Sequence, residues 1–164
     1  PGLSLIETVA YVAALGGVCV AAHPGGRWKW SLQAHHLRHA LTQPGIADTL
    51  VGLEAYNASL PNLQVNRQAA RMQQELGLAH VSCSDAHLLR MIGVAATCFP
   101  GQGAQALRKA LVERTTSPFL SSRPAHFFAS HGWRQLLRAV GYVQTAPKAP
   151  GSPMMLRHLS TALR

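Results

Sequence analysis

Val81-Ser82-Cys83-Ser84-Asp85-Ala86-His87 is an apolar run that ends in Ser-Asp-x-His. An earlier apolar run, Val18-Cys19-Val20-Ala21-Ala22, ends in His23-Pro24-Gly25-Gly26. Two hydrophobic strands that each deliver imidazole or carboxylate at their C-terminal ends describe the mouth of an α/β barrel, where such folds hold metals and chemistry. Asp85 and His87 are two apart, so on an extended segment both side chains project to one side. Neutral imidazole with carboxylate suits Zn, Mn or Fe. Asp-x-His alone is common by chance, and it is the paired strand end at His23 that gives it weight.

The rest of the chain reads as alternating helices and strands. Ser4 with Glu7 forms a capping-box pattern, and Ile6, Val9, Ala10 and Ala13 recur at helical spacing up to Gly16-Gly17. Strands are expected at 18–23, 50–57, 78–83 and 93–99, and helices at about 31–42, capped by Ser31, at 62–76, stopped by Gly77, and at 105–112. Strands spaced by helices of this length imply βαβ units and a parallel sheet. Beyond Ser117 the rhythm changes: residues 127–140 resemble a helix, and 145–153 (Thr-Ala-Pro-Lys-Ala-Pro-Gly-Ser-Pro) are a Pro-rich linker before a basic tail. The expected organisation is therefore 1–117 as the α/β part, 118–144 as a helical extension, and 145–164 as linker and tail.

The 164 residues suffice for one domain with a sizeable core. A 48% hydrophobic and 13% charged composition excludes a disordered chain. No apolar run approaches the roughly 18 residues that span a bilayer, so no membrane role is expected. The start, Pro1-Gly2-Leu3-Ser4-Leu5-Ile6-Glu7, has neither Met nor a basic signal-peptide region, which suggests a piece of a longer protein. Cys19, Cys83 and Cys98 lie in strand-like stretches without C-x-x-C spacing and read as buried, reduced thiols of a cytoplasmic protein. Net charge is uneven. Residues 1–100 carry six Lys/Arg against five Asp/Glu, whereas 101–164 carry nine against one, Glu113. That basic third suits phosphate, in a nucleic acid or in a small substrate, and equally suits a simple basic tail.

The series Gly16-Gly17-Val18-Cys19-Val20-Ala21-Ala22-His23-Pro24-Gly25, Gly52-Leu53-Glu54-Ala55-Tyr56-Asn57, Ser84-Asp85-Ala86-His87, Ile92-Gly93 and Thr97 resembles the C-terminal half of the PHP (polymerase and histidinol phosphatase) superfamily. The resemblance covers about residues 4–116. It implies an α/β fold that is the C-terminal portion of a distorted (β/α)7 barrel, its N-terminal strands missing. It also implies a centre of two or three divalent ions (Zn, Mn or Fe) that hydrolyses a phosphoester of a nucleotide, oligonucleotide or sugar phosphate. By position, His23, Asp85 and His87 resemble metal ligands, with Asp85 also catalytic. The loop after His23 resembles a His-Pro-Gly-Arg loop, but with Gly26 inserted before Arg27, and Cys83 stands where the family usually has Gly. The family's opening His-x-His has no counterpart in these residues, so this piece alone is expected to be nearly inactive. The alternative is a non-catalytic remnant or a regulatory or nucleic-acid-binding module using the basic third.

The remaining candidates are weighed residue by residue. Arg27 suits bidentate contact with a substrate phosphate, although an exposed loop arginine is the commoner case. Asn57, ending its strand, and Glu54 are open between substrate or metal contact and structure. His35, His36 and His39 imitate a ligand cluster but, without a nearby carboxylate, read as a solvated helix face. Trp28 and Trp30 either cover the barrel mouth or pack beside it. The expected partner is a phosphorylated small molecule or a nucleic-acid end; the sequence does not choose between them, nor does it fix the oligomeric state.

Overall fold

A computed structural model of the chain describes residues 2–25, 31–58, 63–86, 89–121 and 133. The chain divides into two compact units, 1–124 and 125–164, and every described residue except Trp133 belongs to the first. The expected helix at 127–140, Trp133 apart, and the linker and tail at 145–164 lie outside the described residues.

Helix α1, Leu5–Ala14, begins where the capping-box pattern places it. The Ser4 hydroxyl accepts the Glu7 N–H at 3.2 Å and the Glu7 carboxylate accepts the Ser4 N–H at 2.7 Å, so two donors of the first turn are satisfied reciprocally. The bonds from Ser4 hold the Glu7 carboxyl below its usual range. This contribution is present at neutral pH and lost as pH falls through the lowered value. Gly16, at φ 70°, and Gly17, whose added Cβ would sit 2.7 Å from Val12 Cγ1, turn the chain sharply into the first strand.

Strands β1 (Cys19–Ala21), β2 (Leu50–Asn57) and β3 (Ala79–Cys83) form a parallel sheet in that order, paired as Val20↔Gly52 and Gly52↔Ala79. Helices α2 (Ala34–Leu41) and α3 (Leu63–Leu76) connect them, which makes two consecutive βαβ units, as the alternation of patterns implies. Val9, Leu37, Ala40, Ala69 and Met72 from α1, α2 and α3 pack with Leu50, Leu53 and Ala55 of β2 to form the main core. A smaller cluster of Val51, Ala79 and Leu111 seats helix α4 (Gly103–Glu113) on other side chains of β2 and β3. With apolar partners of both kinds, β2 is buried at every position except half-buried Tyr56, the continuous burial expected of a central parallel strand. Gly52 is where β2 is most confined: a Cβ there would meet Val20 Cγ2 at 3.2 Å and Val81 Cγ2 at 3.5 Å.

The expected fourth parallel strand is not one. β4 (Ala95–Cys98) pairs antiparallel with β5 (Ser117–Leu120), a strand that the hydrophobic pattern does not announce, in a separate two-stranded sheet. Pro118 explains the silence, since it sits at a strand position that needs no ladder N–H. The pair fastens to β3 through threonine hydroxyls. Thr97 Oγ1 accepts the Ser82 N–H and donates to the Ser82 carbonyl, both at 2.9 Å, and Thr116 Oγ1 donates to the His80 carbonyl at 2.7 Å. Ser82 is 3% exposed, so water cannot replace these bonds. Thr97→Val keeps the shape and strands a buried N–H and C=O, and is expected to cost about 1–3 kcal/mol in denaturant unfolding. A loss within about 0.5 kcal/mol, the range of an ordinary surface substitution, would show that the joint is immaterial.

The described residues thus form a mixed α/β structure with an open three-stranded parallel sheet rather than a closed barrel. Ser31 does not cap α2. The helix starts at Ala34 with Gln33 as its N-cap, whose N–H donates to His36 Nδ1 at 3.2 Å, while the Ser31 hydroxyl donates to the His23 carbonyl at 3.3 Å. The cysteines form no disulfide. Cys19 and Cys83 are only half-buried and Cys98 is exposed, so burial of all three thiols does not hold. No helix among the described residues is long and apolar enough to cross a membrane.

Candidate functional site

Because β1, β2 and β3 run parallel, their C-terminal ends share one edge of the sheet. His23 follows β1 by two residues, Glu54 and Asn57 lie on β2, and Asp85 follows β3 by two. Among the described residues three non-glycine positions have positive φ: His23 at 48°, Asp85 at 43° and Arg114 at 58°. Arg114 is the ordinary left-handed cap that ends α4. The other two are the residues singled out as ligands, each just past a strand end. Such a backbone costs roughly 1–3 kcal/mol for most side chains, less for Asp and His, and persists only where the surroundings enforce it. At His23 the enforcing contacts are visible: its carbonyl accepts from Ser31, and the Gly25 N–H donates to the Leu32 carbonyl at 2.9 Å.

Asp85 is half-buried, and its Oδ2 accepts from Asn57 Nδ2 at 3.1 Å. The same nitrogen donates to Glu54 Oε2 at 3.4 Å, so one amide joins two carboxylates. The other Glu54 oxygen accepts from the Cys83 thiol. Glu54 is 7% exposed, and among the described residues no cationic side chain pairs with it. Burial first, then the Glu54 carboxylate, push the Cys83 thiol up to about 12. Cys83 therefore keeps its proton at neutral pH and is a donor rather than a nucleophile. Further along β3, His80 Nε2 lies 2.8 Å from the Ser82 hydroxyl, and burial lowers the His80 pKa, so its ring is neutral at pH 7.

Asn57 is 2% exposed, with its amide on Asp85 and Glu54. Asn66, on α3, was not among the residues the sequence pointed to. It accepts the Asn57 N–H on Oδ1 at 3.1 Å and donates from Nδ2 to the Asn57 carbonyl at 3.0 Å. The one signal available was its place in the buried stripe with Ala69 and Met72, where an amide must find partners. His87, Arg27, Trp28 and Trp30 lie outside the described residues. His35, His36 and His39 on α2 are all exposed, as a solvated face requires, and His36 and His39 also border a cavity with Ser4, Leu5 and Ile6.

The donor chemistry at this edge, imidazole and carboxylate, fits a divalent ion in kind. Among the described residues no three His, Cys, Asp or Glu side chains gather closely enough to hold one. Alone, His23 and Asp85 do not complete a metal shell.

Residues 64–116, running from α3 through β3 and β4 to the end of α4, match the family model described as PHP-associated. This match relates the chain to the PHP superfamily. The matched segment includes Asn66, Cys83, Asp85 and His87, whereas His23 and Asn57 precede it. Neither the comparison with curated proteins nor that with solved structures returns a match.

Proposed function

We propose that this chain is part of a metal-dependent phosphoesterase of PHP type, with its candidate centre at the C-terminal edge of the β1–β3 sheet. The observation that carries the reading is the left-handed backbone at His23 and Asp85, at equivalent places after two parallel strands, in a chain whose Asp85 lies in a PHP-associated segment. Strain concentrated at just those two strand ends is what a preorganised site requires. In the whole protein the sheet would be one wall of a distorted barrel.

His23, Asp85 and His87 would hold divalent ions, Zn, Mn or Fe. When bound, such ions neutralise phosphate charge and acidify a water molecule. Asp85, fixed by the Asn57 amide, accepts the proton of the attacking water. Arg27 pairs with the substrate phosphate through its guanidinium. Substrates of this class are phosphorylated small molecules or nucleic-acid ends, and the excess of cations over residues 101–164 favours such anions.

Three donors cannot hold two or three ions, so the 164-residue chain by itself is expected to turn over phosphoesters poorly. The natural polypeptide that contains it is expected to release p-nitrophenol from bis-p-nitrophenyl phosphate when Mn or Zn is added. Asp85→Asn should remove that activity. Metal-independent hydrolysis, or full activity in Asp85→Asn, would overturn the reading.

A further inference from the structure

We infer that Asn57 and Asn66 act as one positioning unit for Asp85, Asn66 fixing the end of β2 and Asn57 aiming the carboxylate. The inference rests on the metal-site reading above and goes beyond it by assigning a role to two buried amides.

The geometry has three steps. Asn66 grips the main chain of Asn57 with both ends of its amide, at 3.1 and 3.0 Å, so its orientation leaves no alternative flip. This does for the last residue of β2 what a neighbouring strand would do, at the point where the sheet gives way to loops. With its backbone fixed, Asn57 has one nitrogen with two hydrogens, directed to Asp85 Oδ2 at 3.1 Å and Glu54 Oε2 at 3.4 Å. Two carboxylates near each other repel, and a neutral group that donates to both is the inexpensive way to hold them. Glu54 is braced from its far oxygen by the Cys83 thiol. Asn57 and Asn66 are 2% and 8% exposed, so neither bond exchanges freely with water. Asp85, at φ 43°, needs such bracing because its backbone resists the position.

The test is calorimetric titration of the 164-residue chain with Zn²⁺ alone, in a background of His35→Ala and His39→Ala so that these histidines of α2 do not contribute. Melting of the metal-free protein serves as the folding control. Asn57→Ala is expected to weaken binding by roughly ten- to a hundredfold, the usual loss for groups that orient a ligand. Asn66→Ala should weaken it comparably, and the double variant should bind no more weakly than Asn57→Ala alone, because both act through one path. If Asn66→Ala does not fold, Asn66→Asp, which keeps the acceptor for the Asn57 N–H and gives up the donor, takes its place. Unchanged affinity in folded Asn57→Ala, or losses that add in the double variant, would overturn the proposal. A merely structural role would lower the melting temperature and leave affinity alone. If the background protein binds no Zn²⁺, the metal reading falls and this inference with it. If it binds Zn²⁺ and loses it in Asp85→Ala while Asn57→Ala is silent, only the inference falls.

Discussion

Equilibrium dialysis against Zn²⁺ or Mn²⁺ is expected to leave weakly bound metal on the wild-type chain and none on a His23→Ala, Asp85→Ala, His87→Ala triple variant. The expectation follows from position. His23 and Asp85 each sit two residues beyond a parallel strand at a shared edge, and both hold a left-handed backbone. Removing donors themselves should cost more than the roughly ten- to hundredfold typical of groups that merely orient them. Asp85→Ala alone should show most of the loss, because its carboxylate is the one held in place by a buried amide. Binding should also weaken as pH falls, since metal ligands must be deprotonated to bind. Equal metal content in the wild type and the triple variant would sink the assignment of all three residues.

Leu53→Ala is expected to be the most damaging single truncation in the sheet. Leu53 is fully buried on the central strand and belongs to the core formed with α1, α2 and α3. It pairs with both neighbours, Ala21 and His80, so no flanking loop can collapse into the space left behind. A leucine removed from such a site costs about 2–5 kcal/mol, a large part of the roughly 5–15 kcal/mol that holds a domain together. The midpoint in urea should fall with little change in slope. Leu120→Ala is the contrast, since Leu120 on β5 is 50% exposed and its truncation should be nearly silent. If the two variants melt alike, the core has been placed on the wrong side chains.

Legibility followed periodicity. The run Leu50-Val51-Gly52-Leu53-Glu54-Ala55-Tyr56-Asn57 forms a strand over its whole length, buried everywhere but at Tyr56, with its polar Glu54 and Asn57 satisfied by each other and by Cys83 and Asp85. α3 ends at Leu76 as its glycine stop requires, with Gly77 at φ 60°. β5 was invisible because Ser-Pro-Phe-Leu is short, exposed and contains proline, and because its antiparallel partner is reached across a helix. At the site, His23 and Asp85 could be picked out since strand ends are where such chemistry concentrates. Asn66 could not, because a side chain that clamps another residue's backbone leaves no spacing rule in the sequence. The same holds for Thr97, whose hydroxyl stands in for a strand's own hydrogen bonds.

The left-handed backbone at His23 and Asp85 sets two demands against each other at the same atoms. For folding alone, glycine is the best residue at either position, because it adopts φ near +45° without the roughly 1 kcal/mol that a Cβ costs there. Glycine is also the one choice that deletes the side chain. Alanine has neither advantage, keeping the Cβ while losing the imidazole or carboxylate. A chain selected only to fold would drift toward glycine at 23 and 85, and one selected for chemistry must carry the penalty at both. On the metal-site reading proposed above, stability and activity would be traded residue for residue at these two strand ends, since a more stable variant with glycine there would lose the imidazole or the carboxylate.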